Sequence, residues 1–177
     1  MTAILALDPG PTETGWVQFV DGRVAHSAVM ANDAVLGMLP LIGQERNGYV
    51  LAIEKVESFG MAVGAEVFET VFWSGRFAQA WRAPDQVVRI GRRAVKLYLC
   101  GTARAKDANI RQALLGALGP QGTKAKPGPT YGVKSHAWAA LAVAVTALHQ
   151  LGQRFETQPA PLFAAPKVDD PFEEVDA

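Results

Sequence analysis

Apolar and polar positions divide the chain into short runs of two different periods. Ile4 to Asp8 is an apolar run that ends in an acid and then Pro9-Gly10, the pattern of a buried strand stopped by a turn. Trp16 to Val20 and Val24 to Met30 flank Asp21-Gly22, a dipeptide favoured in two-residue hairpins, so the first thirty residues predict three consecutive strands. Asp33 is placed to cap a short helix reaching Leu39, and Tyr49 to Val56 resumes a strand pattern with Glu54 inside its apolar stretch. From Gly64 to Trp81 apolar residues recur at helical spacing on two faces. Val67 and Val71, beside Phe68 and Phe72, mark one, and Trp73, Phe77 and Trp81 form a second stripe at intervals of four. A helix apolar on two faces packs against its own sheet and against something else, such as a second subunit, so the Trp73, Phe77, Trp81 stripe reads as core or dimer interface.

Pro84 closes that segment. Val87 to Ile90 predicts a fifth strand, Arg92 to Leu99 a short helix, and Ala105 to Leu118 another helix ended by Gly119-Pro120. Gly122 to Gly132 reads as a loop, and Ser135 to Leu151 as a long Ala/Val/Leu helix with Ser135 at its cap. The sum is an α/β domain over residues 1–151, with a mixed five-stranded sheet (three antiparallel strands, then two more) flanked by helices. After Leu151 the composition turns to Pro, Asp and Glu, which predicts a disordered acidic tail over residues 152–177.

A chain of 177 residues that is 49% apolar has the material for one domain with a sizeable core. It holds no uninterrupted apolar run of 18 residues and no basic-then-apolar leader pattern, so a soluble, cytoplasmic protein without membrane contact is expected. Cys100 is the single cysteine, which excludes an intramolecular disulfide, and no Cys or His stands near it at the spacing of a structural zinc site. The net charge is zero, yet residues 1–81 carry four Lys/Arg against nine Asp/Glu, and residues 82–134 carry eleven against two. A local positive field attracts a polyanion whatever distant charges are, so the middle segment predicts a nucleic-acid face.

Acids inside apolar strands are costly unless paired or coordinated, which singles out Asp8 and Glu54. Both fall toward the C-terminal ends of predicted strands, where open α/β sheets place their sites. His136 stands at the start of the last helix, an element able to pack across those ends. Two carboxylates and an imidazole converging on one point make an oxygen-rich site for Mg2+ or Mn2+, suited to phosphodiester cleavage. The turn Asp8-Pro9-Gly10 followed by Thr12, Thr14 and Gly15 also suits a phosphate-binding turn of actin-like kinases and ATPases, a superfamily that needs a much longer chain with two such domains.

Leu5-Ala6-Leu7-Asp8-Pro9-Gly10-Pro11-Thr12 with Thr14-Gly15, then Ala52-Ile53-Glu54, Cys100 to Asp107, and His136 to Ala144 resemble, in order and spacing, the motifs of RuvC-type Holliday junction resolvases over roughly residues 3–150. Glu57 to Met61 and Trp73 to Phe77 look more like the phage and prophage branch. The resemblance implies a ribonuclease H-like fold and a metal-dependent, structure-selective endodeoxyribonuclease, a crossover junction endodeoxyribonuclease working as a homodimer on branched DNA. It implies metal binding and catalysis for Asp8, Glu54 and His136 and base stacking for Phe59, while Arg104, Lys106, Arg111, Lys124, Lys126 and Lys134 are the candidates for phosphate contact that the basic segment itself offers. Asp107 belongs in the resemblance to the DNA-facing stretch and not to the metal site.

One position departs from the family. Its last helix presents two metal-site residues three apart, on one helix face, and here His136 is followed by Ala139 where an Asp belongs. Alanine cannot ligate a metal. An introduced substitution, a site that works with three ligands, and a nuclease-dead DNA-binding descendant each account for it, and Ala139→Asp separates them.

Overall fold

The computed structural model describes residues 3–45, 48–57, 60 and 62–152. Five strands form one sheet: β1 (Ala3–Pro9), β2 (Glu13–Val20), β3 (Arg23–Ala31), β4 (Tyr49–Lys55) and β5 (Val88–Gly91), in the order β3-β2-β1-β4-β5. β1 pairs antiparallel with β2, and β2 with β3, while β4 joins β1 and β5 joins β4 in parallel. This is the mixed sheet that the alternating runs predict. Asp21 and Gly22 make the β2–β3 hairpin, both with positive φ (47° and 79°), as a tight primed turn demands.

Helices cover both faces, and strand parity decides which residue meets which layer. Leu5 and Leu7 of β1, with Leu51 and Ile53 of β4, pack beneath α1 (Asn32–Glu45) and α2 (Ala65–Ala80). Ile4, Ala6, Ala52 and Ile90 point to the opposite face, under α3 (Arg92–Cys100), α4 (Asp107–Leu118) and α5 (Ala137–Gln150). By the same alternation Asp8 continues the Ile4, Ala6 row and Glu54 the Ala52 row. Both acids therefore emerge on the α5 side of the sheet.

Two boundaries differ from the sequence reading. α1 begins at Asn32 and runs beyond Leu39 through Pro40 to Glu45. Val35 and Leu39 are fully buried and Ile42 packs on the same cluster, so burial of this stripe outweighs the backbone hydrogen bond that Pro40 removes. Ser135 does not cap the last helix: it takes a positive φ of 44°, His136 occupies the cap position, and α5 starts at Ala137. The second stripe of α2 belongs to the chain's own core, since Phe77 and Trp81 are buried and Trp73 packs partly against them. Phe68, Val71 and Phe72 on its other face are exposed. Residues 153–177, and with them the expectation of a disordered tail, lie outside the described residues. Among the described residues no helix is long and apolar enough to cross a membrane.

Candidate active site

The site grows out of the register of three parallel strands. Leu7 pairs with Ile53 and Glu54 with Ile90, so Asp8, Glu54 and the residue that follows β5 lie side by side at the C-terminal edge of the sheet. That following residue is Arg92, the first of α3. On the other side Asp8 pairs with Gly15 of β2, and this glycine makes room for the last helix. A Cβ at position 15 would lie 2.4 Å from the carbonyl carbon and oxygen of His136, closer than any side chain tolerates. Gly15 thus lets the start of α5 settle onto the sheet and brings His136 Nδ1 to 3.4 Å from Asp8 Oδ2.

The turn after Asp8 is locked by polar contacts. Gly10 donates its N–H to the Glu13 carbonyl at 2.9 Å, and a Cβ on Gly10 would meet that oxygen at 2.7 Å. Asn32, nearly fully buried, donates from Nδ2 to the Gly10 carbonyl at 3.0 Å and accepts from the buried Thr14 hydroxyl at 2.7 Å. Gly10 and Thr14 of the motif are thus accounted for by the turn that follows Asp8. Asn32→Ala leaves the Thr14 hydroxyl buried without its acceptor, and is expected to cost about 1–3 kcal/mol of stability, read as a lower midpoint in urea unfolding.

Asp8 and Glu54 are mostly buried, and each carboxyl feels the other. Burial pushes the Asp8 carboxyl up to about 6, against the pull of Arg92. Burial first, and the Asp8 charge second, push Glu54 up to about 7. Burial and mutual repulsion both oppose full ionisation of this pair. Arg92 lies across the pair's open side: Nη1 donates to Glu54 Oε2 at 3.2 Å and Nη2 to the carboxylate of Asp107 at the start of α4. Asp107 is therefore not confined to a DNA-facing stretch. It lines the same cleft, of about 410 Å³, as Asp8, Glu54, Arg92, His136 and Ala139.

Ala139 does share the His136 face of α5, as three-residue spacing requires, and leaves that wall of the cleft without a ligand. Among the described residues no three His, Cys, Asp or Glu side chains close into a ready ion cage. The donor set still fits one hard divalent cation, which binds through one or two carboxylates and keeps several waters. Two buried carboxyls whose ionisation is opposed by burial and by each other are a place where such an ion relieves an electrostatic cost.

The basic candidates separate by position. Arg111 lines the cleft, stacks its guanidinium 4.8 Å from the centre of the Trp138 ring and donates to Gln121 at 3.0 Å. Lys134 lines an adjoining cleft of about 650 Å³ together with the half-exposed Tyr131. Arg104 and Lys106 are exposed just before α4, and Lys124 and Lys126 are exposed on the loop between α4 and α5. Phe59 lies outside the described residues. Arg92 is the participant that the sequence reading did not place, and Asp107 the one that it kept out of the site. A signal for Arg92 exists: a cation in the first turn of a helix opposes the helix dipole, so its presence there asks for an anionic partner from elsewhere in the fold.

No protein-family model matches the chain, and no curated protein sequence matches it. Its structure is similar to that of T. thermophilus RuvC in complex with a Holliday junction substrate, with 20% identity, 86% of this chain and 97% of that chain covered, and a TM-score of 0.65. A second structure of Thermus thermophilus RuvC gives 19% identity, coverage of 86% and 98%, and a TM-score of 0.64. At such identity the likeness establishes the architecture: the chain has the ribonuclease H-like fold of RuvC, a mixed five-stranded sheet flanked by helices.

Proposed function

We propose that the chain is a metal-dependent, structure-selective endodeoxyribonuclease that cleaves branched DNA such as Holliday junctions, a crossover junction endodeoxyribonuclease acting as a homodimer. The observation that carries this reading is the buried Asp8–Glu54 pair at adjacent strand ends, open to a cleft that Arg92 and Arg111 also line. The fold is that of a protein whose structure holds a Holliday junction, which supports branched DNA as the substrate class.

Asp8 and Glu54, with His136 beside Asp8, are the residues that would hold Mg2+ or Mn2+. When bound, the ion supplies Lewis-acid polarisation of a phosphoryl oxygen and a more acidic water. The chain's own part is to orient and shield. Asn32 and Gly15 fix Asp8 and His136 in place, Arg111 and Lys134 receive phosphates flanking the cut, and Arg104, Lys106, Lys124 and Lys126 extend the positive surface along the arms. Phosphate contacts of this kind make affinity fall steeply with salt. Junction affinity, measured by fluorescence anisotropy, is expected to fall on the order of 10²-fold or more between 50 and 200 mM salt, and to exceed that for a linear duplex of equal length. Equal affinities for the two DNAs would defeat structure selectivity.

Ala139 favours a second reading, a nuclease-dead branched-DNA-binding protein of the same fold. Incubating labelled junction with the unmodified chain and with Ala139→Asp, in Mg2+ and in Mn2+, decides between them. Incision by the unmodified chain supports the nuclease, and Ala139→Asp is then expected to lower the metal concentration needed. Incision by Ala139→Asp alone would show that position 139 silences the site, and incision by neither, with binding intact, would establish the binding protein.

The dimer is assigned to the outer face of α2, where Phe68, Val71 and Phe72 are more than half exposed and Val71 and Phe72 border a shallow groove with Leu36. A second copy fits because a junction presents two equivalent strands to a two-fold pair of sites. Phe72→Glu is expected to shift the chain from dimer to monomer in sedimentation velocity, and an unmodified chain that is monomeric at all concentrations would remove the interface.

A further inference from the structure

The cleft holds a cation of its own. Arg92 is the only guanidinium hydrogen-bonded to a site carboxylate among the described residues, and its side chain is 26% exposed, held by Glu54 and Asp107 yet open to a ligand in the cleft. It stands on the rim of the carboxylate pair, at a site where Ala139 withholds the further carboxylate that a second metal ion needs. Asp8, Glu54 and Asp107 carry three negative charges when ionised, and Arg92 returns one. One divalent cation therefore brings the cluster to neutrality, and a second would leave it two positive charges in excess. No acid sits in the first turn of α3 to favour an arginine locally, so the carboxylates across the cleft are what Arg92 answers to.

We infer that Arg92 is a catalytic residue that takes the place of a second cation, its guanidinium contacting the scissile phosphate while one divalent ion sits on Asp8 and Glu54. The inference rests on the nuclease reading above and specifies how its site works without an acid at position 139. A guanidinium has five N–H donors in a planar fork suited to phosphate oxygens, and the contacts to Glu54 and Asp107 leave donors for the substrate. In hydrolysis the oxygen of one water bonds to phosphorus and one P–O ester bond breaks. One hydrogen of that water ends on the leaving hydroxyl, and the other is released from the new phosphate, so no further reactant is required. The reacting phosphate gains negative charge on the way, and a fixed cation beside it is stabilising at that moment. Asp107 is the positioning residue that aims the fork.

Single-turnover junction cleavage at saturating Mg2+ is expected to fall about 10²-fold in Arg92→Ala and Arg92→Gln, less in Arg92→Lys, and to recover in part when free guanidinium is added to Arg92→Ala. Junction affinity, to which many other phosphate contacts contribute, is expected to fall far less than cleavage, and the melting temperature of Arg92→Ala to fall as Glu54 loses its counter-ion, so rates are compared below the melting range. Manganese titration of the DNA-free protein, followed by electron paramagnetic resonance, is expected to count one ion per unmodified chain and two in the double variant Arg92→Ala with Ala139→Asp. Variants that cleave within about twofold of the unmodified rate at saturating metal would reduce Arg92 to a counter-ion and overturn the inference, as would two ions in the unmodified chain. An unmodified chain that binds junctions without ever cutting them would instead overturn the nuclease reading, and the catalytic role of Arg92 with it.

Discussion

Asp8→Asn is expected to abolish junction cleavage, by about 10³-fold or more, while leaving junction affinity nearly unchanged and making the metal-free protein more stable above neutral pH. The loss follows because Asp8 is central: it touches His136, lies beside Glu54 and sits at the strand edge facing the cleft. The gain in stability follows from the direction of the carboxyl shifts. Burial raises Asp8 to about 6 and Glu54 to about 7, above their values in an unfolded chain. The folded state then binds more protons than the unfolded state between roughly pH 4 and 7, so this pair's contribution to stability is greatest in acid and falls as pH rises through that window. Asn at position 8 carries no charge to bury. Its melting temperature, relative to the unmodified chain in chelator, is expected to climb between pH 4.5 and 7.5, and a difference that is flat or reversed across that range would contradict the buried-pair account. Mn2+ is expected to stabilise the unmodified chain more at pH 8 than at pH 5, where protons compete for the same oxygens.

Gly15→Ala is the second large effect, and it acts through backbone rather than chemistry. The added methyl would press on the backbone of His136 and on the Ala137 nitrogen, and no flexible side chain is there to yield. Either the start of α5 lifts from β2 or the strand bends, and both separate His136 from Asp8. A destabilisation of about 1–3 kcal/mol or more is expected, with cleavage lost well beyond what the stability change explains. Junction binding through the loop lysines is expected to survive. An alanine variant that folds, melts and cuts like the unmodified chain would show that α5 does not need this close approach.

These two positions also show how much was legible before the fold. Asp8 and Glu54 stand out because a charge within an apolar strand is anomalous on local grounds alone, and strand period then puts both on one face. The threonines and glycines around them were visible as a motif, but their work was not. Thr14 meets Asn32 across the β2–β3 hairpin, and Gly15 meets His136 from the far end of the chain. Arg92 and Asp107 escaped for the same reason. Glu54, the partner of Arg92, is reached only once β5 is known to lie parallel to β4, which sets the residue after β5 beside it, and Asp107 joins through Arg92. Local pattern gave the elements and the buried acids, while register across the sheet decided which cation answers them. The reach of α1 through Pro40 was likewise decided by the packing of Val35, Leu39 and Ile42 and not by local propensity.

The central claim is that Asp8 and Glu54 lie side by side in order to hold a divalent cation facing the cleft. A crystal soaked in Mn2+ and measured at a wavelength where manganese scatters anomalously tests this most directly. The account predicts one anomalous peak per chain, about 2.0–2.6 Å from carboxylate oxygens of both Asp8 and Glu54, absent from Asp8→Asn crystals treated alike. No peak at these carboxylates at millimolar Mn2+, or a peak elsewhere that survives Asp8→Asn, would contradict it.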